Sequence, residues 1–223
     1  MTRAFIQIAG ALDREDAQTL ITAGVDEVAL PVGPHLKTPE LSEETAAELF
    51  HFLKGRVFSR VITYSTKAHE VIALMKKLGT SRVQLHGKIS GEEVSALRRA
   101  GEYHIIKSFA VGLTPKDALL AQVREYAPNV DGFLLDTYDP ADGSTGATGK
   151  LHDWEISAEI VKMAGRPVIL AGGLNENNVE RAVRVVRPYG VDAHTGVESA
   201  GGRKDLCKVE LFVERARLAL EAR

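Results

Sequence analysis

The chain has 223 residues, 44% hydrophobic and 26% charged, with 28 Lys/Arg against 30 Asp/Glu and a formal net charge of −2. Near-neutrality without a Lys/Arg cluster excludes nucleic acid as the main partner, and no apolar run reaches the roughly 18 residues of a membrane span. The single cysteine, Cys207, excludes an intramolecular disulfide and a cysteine metal cluster. No signal-peptide pattern precedes the first apolar run, so a cytoplasmic protein is the expectation.

Short β-branched runs alternate with longer segments of helical period from one end to the other. AFIQIAG leads into DREDAQTLITAG, where Ala17, Leu20 and Ile21 share a helical face and Gly24 is a stop. VDEVALPV is followed by LSEETAAELFHFLKG, and RVFSRVITYS by TKAHEVIALMKKLG. RVQLHG precedes SGEEVSALRRAG, in which Ser90 reads as an N-cap and Glu93 as its capping-box partner. EYHIIKSFAV precedes TPKDALLAQVREYA, with Pro115 suited to a first helical turn. VDGFLLDT, GRPVILAGG and YGVDAHTGVE follow, each trailed by an amphipathic segment, and the last helix lies around KDLCKVELFVERARLALEAR. Cys207 falls in that helix's apolar pattern and reads as packing; Trp154 reads as filler in the helical shell.

Strands alternating with helices imply parallel strands joined by right-handed crossovers. Eight units without a linker or a composition break predict an α/β fold, a single (βα)8 TIM barrel spanning 1–223. No Gly-x-Gly-x-x-Gly follows the first strand, which weakens the doubly wound alternative. In such a barrel chemistry gathers at the C-terminal strand ends: Ala9, Pro31, Tyr64, His86, Lys107 to Phe109, Asp136, Gly172-Gly173 and His194-Thr195.

Glycines after the seventh and eighth strands let backbone N–H groups approach an anion, so Gly172, Gly173, Thr195 and Gly196 are expected to grip phosphate. Tight turns are the plainer alternative. Asp136 closes an apolar strand, FLLDT, where burial lifts a carboxyl toward neutrality and suits it to acid–base work; loop tying or helix capping is its structural alternative. The Gly-rich loop YDPADGSTGATGKLHDW can cover the mouth or hold an anion, although its glycines do not fit the Walker spacing. His86 and His194 end strands, and each is more often a satisfied hydrogen-bonding residue than a catalyst. A metal held by His86, Asp136 and His194 needs all three to converge, and none is expected.

Taken in order, QIAG, VQLHG, LLDT, GATGKLHDW, ILAGGLNENNV, VDAHTGVE and GRKD resemble the phosphoribosylanthranilate isomerase family over nearly the whole chain. The resemblance implies an eight-stranded barrel, a phosphorylated sugar as partner, no cofactor, a monomer or homodimer, and an Amadori aldose-to-ketose rearrangement. Its acid carries over onto Asp136 and its phosphate contacts onto Gly172, Gly173 and the Thr195-Gly196 turn. Its base is the cysteine of Lys-Ile-Cys-Gly, and here that motif reads Gln7-Ile8-Ala9-Gly10. The family's arginine after the second strand is also missing from ALPVGPHLKTPEL, leaving Lys37, and the paired serines after the eighth strand are His194 and Thr195. Because the eighth strand adjoins the first in a closed barrel, His194 is expected to serve as the replacement base, with Asp136 as acid, on phosphoribosylanthranilate or on a changed phosphosugar substrate. The pocket is expected from Gln7, Ala9, Lys37, Gln84, His86 and Lys107. Two alternatives stand beside this: a barrel that binds a sugar phosphate without turning it over, and a lyase working through a Lys107 Schiff base.

Overall fold

The computed structural model describes residues 4–33, 41–138 and 151–222. Its elements alternate throughout: β1 (Phe5–Ala9), α1 (Arg14–Thr22), β2 (Glu27–Pro31), α2 (Glu43–Leu53), β3 (Phe58–Thr63), α3 (Ala68–Leu78), β4 (Arg82–Leu85) and α4 (Gly91–Ala100). They continue with β5 (His104–Val111), α5 (Lys116–Tyr126), β6 (Gly132–Thr137), α6 (Trp154–Met163), β7 (Val168–Leu170), α7 (Val179–Val186), β8 (Gly190–Ala193) and α8 (Leu206–Glu221). The strands are parallel, run β1 to β8 in chain order and close into a barrel. Closure sets Gln7 beside Asp192 and Ile8 beside Ala193.

The helices begin where the sequence offers a side-chain oxygen. Asp13, Ser42, Ser90, Asp153 and Asp205 each accept an N–H of the first turn, each cap being worth about 1 kcal/mol. Ser90 Oγ accepts from Glu93 N at 3.3 Å, but Glu93 does not complete a capping box. Its carboxylate instead accepts the Ala68 N–H at 2.8 Å and pairs with Lys67, so it caps the neighbouring α3, whose own N-cap residue Lys67 has no acceptor. Pro115 stands at the N-cap of α5, one position before the first turn.

Alternation decides which strand residues meet the helices. Ile6, Ile8, Val28, Leu30, Val61, Val83, Leu85, Phe133 and Leu135 join Leu20, Leu49, Met75, Leu97, Ile160 and Phe212 in one continuous layer between sheet and helices. At roughly 1.5–3 kcal/mol per fully buried large apolar side chain, this layer carries the fold and leaves the interior free to hold polar groups. The opposite strand face forms two small apolar clusters, Ile106–Leu134–Ile169–Ala171 and Ala9–Ala29–Ile62. Around them sit buried Gln7, Glu27, Arg60, Gln84, Asp136 and Asp192. Trp154 opens α6 and packs against the main core as expected. Cys207 does not pack; it is exposed on α8. The buried seam of that helix runs Val209, Phe212, Val213, Ala216, Leu220, and a residue two positions before Val209 falls about 200° around a helix.

Candidate active site

Ala9 ends β1 at the mouth, 4% exposed, in an apolar cup with Ala29 and Ile62. Gly10 follows with φ +82°, and a Cβ there would lie 2.0 Å from His194 Nε2. The imidazole of His194 therefore lies directly over the Gly10 backbone, beside Ala9, as the β1–β8 register requires. Its Nε2 is 3.4 Å from Glu198 Oε1, and Lys204 Nζ bonds both Glu198 Oε1 (2.7 Å) and the His194 carbonyl (3.2 Å). Burial and the Lys204 ammonium pull His194 down to about 3, so the ring is neutral at pH 7.

Asp136 ends β6 and is pushed up to about 7 by burial, against the opposing pull of the Thr137 N–H on its Oδ1 at 2.8 Å. A carboxyl poised there donates and accepts protons near neutrality. Asp192 on β8 joins the same interior. Burial, and then the charge of Asp136, raise it well above the usual carboxylate range, and its Oδ1 has no hydrogen-bond partner among the described residues. Gln7 Nε2 donates to Gln84 Oε1 at 3.0 Å, linking β1 to β4 across the interior. Asp192 does not stand out in the sequence, although GVDA carries the signal: Val191 and Ala193 enter the apolar layer, so Asp192 between them faces the interior.

Gly172 and Gly173 both adopt the left-handed region, at φ +85° and +63°. Among the described residues, neither their N–H groups nor that of Gly196 donate to a backbone carbonyl. Gly196 has a second reason to be glycine, since a Cβ would meet the Leu174 carbonyl oxygen at 2.0 Å. The loops after β7 and β8 are thus packed against each other, with Thr195-Gly196 in a single 3₁₀ turn (Thr195–Val197). Asn178 ties the first of them by donating to the Gly173 carbonyl and accepting the Asn175 N–H.

The ring of His86 is tilted against Tyr64 at 5.0 Å. It lines a cavity of about 830 Å³ with Tyr64, Lys107, Ser108, Phe109 and Tyr126. Lys107 occupies an outward position of β5, between Ile106 and Ser108, and its ammonium donates to the carbonyls of Leu85 (3.2 Å), Gly87 (3.0 Å) and Ser108 (2.7 Å). Burial pulls it down to about 7, yet three carbonyls taking all three N–H bonds favour the ammonium. Lys107 is a strut between β4 and β5, placed away from Asp136, and no amine lone pair is free for a Schiff base. Lys37 and most of the Gly-rich loop lie outside the described residues. Among the described residues no three His, Cys, Asp or Glu side chains are grouped to hold a metal ion, so His86, Asp136 and His194 do not converge.

A profile of the N-(5'phosphoribosyl)anthranilate (PRA) isomerase family matches residues 6–215. An N-(5'-phosphoribosyl)anthranilate isomerase of Haloferax volcanii is 38% identical over 222 residues, covering 98% of this chain and 95% of that protein. Isomerase 2 of Methanosarcina mazei is 37% identical over 214 residues, covering 95% and 93%. Among solved structures, the Pyrococcus furiosus isomerase superposes with a TM-score of 0.81 at 27% identity, over 97% of this chain and 100% of that one. A phosphoribosyl anthranilate isomerase in complex with reduced 1-(o-carboxyphenylamino)-1-deoxyribulose 5-phosphate gives 0.79 at 26%, over 96% and 98%. With the profile spanning nearly the whole barrel and relatives above one-third identity over more than nine-tenths of their length, the chain belongs to the phosphoribosylanthranilate isomerase family.

Proposed function

We propose that this barrel converts N-(5'-phosphoribosyl)anthranilate into the corresponding 1-deoxyribulose 5-phosphate, with Asp136 as acid and His194 in place of a thiol base. The observation that carries the reading is the His194 imidazole seated over Gly10, at the side of the Ala9 cup and on the rim that holds Asp136. The phosphate docks on the N–H groups around Gly172, Gly173, Thr195 and Gly196, and the sugar then lies over the interior carboxyls.

Asp136, protonated, delivers a proton to the ring oxygen as the C1–O bond breaks and the anilino nitrogen forms an iminium. The neutral imidazole takes the proton from C2, and the electron pair of that C–H bond moves into the iminium to give an enaminol. A proton then arrives at C1 and one leaves the 2-hydroxyl, so the aminoketose forms with no net gain or loss. A phosphate and a carboxylate brought close to the ring favour its charged form and raise its basicity. Supporting the split of roles, Asp136 and His194 are displaced in opposite directions by their surroundings.

Turnover of purified wild type, Asp136→Asn, His194→Ala and Ala9→Cys tests the proposal. Wild-type turnover that collapses in both His194→Ala and Asp136→Asn but persists in Ala9→Cys supports it. Full turnover in His194→Ala overturns the base assignment, and tight binding of the reduced product analogue without any turnover by wild type makes the barrel a sugar-phosphate binder.

A further inference from the structure

Behind the phosphate loop lies a hydrogen-bonded chain that the reaction itself does not use. Thr137, the last residue of β6, turns its side chain outward, where Oγ1 meets His152 Nδ1 at 2.9 Å. His152 Nε2 meets Ser157 Oγ at 2.7 Å, and Ser157 is fully buried in α6. Burial holds His152 down at about 4, despite the nearby Asp153, so the ring carries one proton and each nitrogen has one defined partner.

Thr137 is the junction. Its N–H donates to Asp136 Oδ1, while its Oγ1 lies 2.1 Å from where a Gly172 Cβ would be, with His152 Nδ1 at 3.0 Å from the same point. One residue therefore touches both, its backbone N–H holding the carboxyl at the end of β6 and its side chain abutting the left-handed glycine turn after β7. Among the described residues β6 and β7 pair through Phe133–Val168, Leu134–Ile169 and Leu135–Leu170, and a last backbone bond runs from Ala171 N to Leu135 O (2.8 Å); past it no ladder bond joins Asp136 to Gly172 to fix their spacing. The outward side chains of Thr137 and His152 supply that spacing from behind.

We propose that His152 is a positioning residue: pinned to α6 through Ser157, it locks the Thr137 side chain and so fixes the Asp136 carboxyl relative to the phosphate-binding Gly172 turn. The inference rests on the assignment of Asp136 as acid and of the Gly172 turn as phosphate grip. Misplacement of a catalytic group by an ångström costs up to about a hundredfold in rate, and the loosening of a supporting contact is expected to cost about tenfold.

The test compares His152→Phe, which keeps the volume and removes both bonds, with His152→Asn, which keeps a partner for Thr137, and with Thr137→Val. His152→Phe and Thr137→Val each lower kcat about tenfold and weaken inorganic phosphate binding several-fold. The double variant is no worse than either single one, because both cut the same chain, and His152→Asn recovers most of kcat. With the Thr137 N–H less well held, the alkaline limb of the kcat profile moves upward, since the bond that favours the Asp136 carboxylate is lost; Tyr64, just after β3, and Asp192 on β8, the titratable groups whose charge couples to Asp136, are unchanged. Wild-type kcat, pH limb and phosphate affinity in His152→Phe overturn the proposal, as do additive losses in the double variant. Full turnover in Asp136→Asn faults the acid assignment instead, and the coupling of positions 137 and 152 is then decided by phosphate binding.

Discussion

The two ends of this barrel bury charge in opposite ways. At the N-terminal floor, Glu27 accepts from Arg60 Nε (2.9 Å) and Nη2 (2.7 Å) and from Arg82, while Arg60 also donates to the Val83 carbonyl and contacts His104 Nδ1. Burial alone pushes Glu27 upward, but the two guanidiniums outweigh it and hold the carboxylate below its usual range. Toward the C-terminal mouth, Asp136 and Asp192 are also buried and are raised, and Asp192 Oδ1 lacks a hydrogen-bond partner among the described residues. Both sets are buried and the difference is satisfaction. A saturated buried charge is a structural rivet, whereas an unsaturated one is held ready for a group the protein does not itself supply.

The sharpest way to break the comparison is to unpair the floor. Arg60→Met leaves Glu27 buried beside one guanidinium and is expected to cost about 3–5 kcal/mol, read by urea unfolding; a loss below about 1 kcal/mol means the floor is held by packing instead. At the mouth the signs reverse. Asp136→Asn is expected to cut kcat about 10²–10⁴-fold while making the fold more stable above pH 7. The folded Asp136 binds its proton up to about 7, whereas the unfolded one releases it near 3.8. Wild-type stability is therefore lost as pH rises through that window, by up to about 4 kcal/mol. The variant's advantage in thermal unfolding closes as pH falls toward 4, and a constant gap contradicts the assigned ionisation.

Smaller effects sharpen the picture. His194→Ala is expected to lower kcat by about 10²-fold or somewhat more with little change in stability, measured by steady-state kinetics and melting. Ala9→Cys places a thiol in the apolar cup beside the imidazole and raises kcat/KM up to about tenfold. Smallest is Glu93→Ala, which uncaps α3 and costs about 1 kcal/mol without touching turnover.

Much of this was legible in one dimension. The alternation of strand-like and helix-like periods gave eight units, and their number predicted closure; closure in turn placed His194 beside Ala9, because an eighth strand has nowhere to pair but the first. Position alone singles out Asp136, Gly172 and Gly173 as candidates, since strand ends face the mouth whatever the loops do. Its place near a strand end puts Lys107 in the expected pocket; it lines the cavity with His86 and Tyr64, and the period of two turns it to the opposite strand face from Asp136. Glu93 was given to its own helix when the acceptor it serves belongs to the next one, a contact 25 residues away. Cys207 was read as packing in a helix whose seam passes on the other side.

The sequence by itself determined the order of elements, the face each strand turns to the helices, and which residue types stand at the mouth, because these follow from local periodicity. Only the tertiary structure decided which buried charges are paired. Glu27 and Arg60 are 33 residues apart and Thr137 and His152 are 15 apart, and no local pattern links either pair. Ionisation follows distance and burial in space, so the division between a riveted floor and a poised mouth exists only once the sheet has closed.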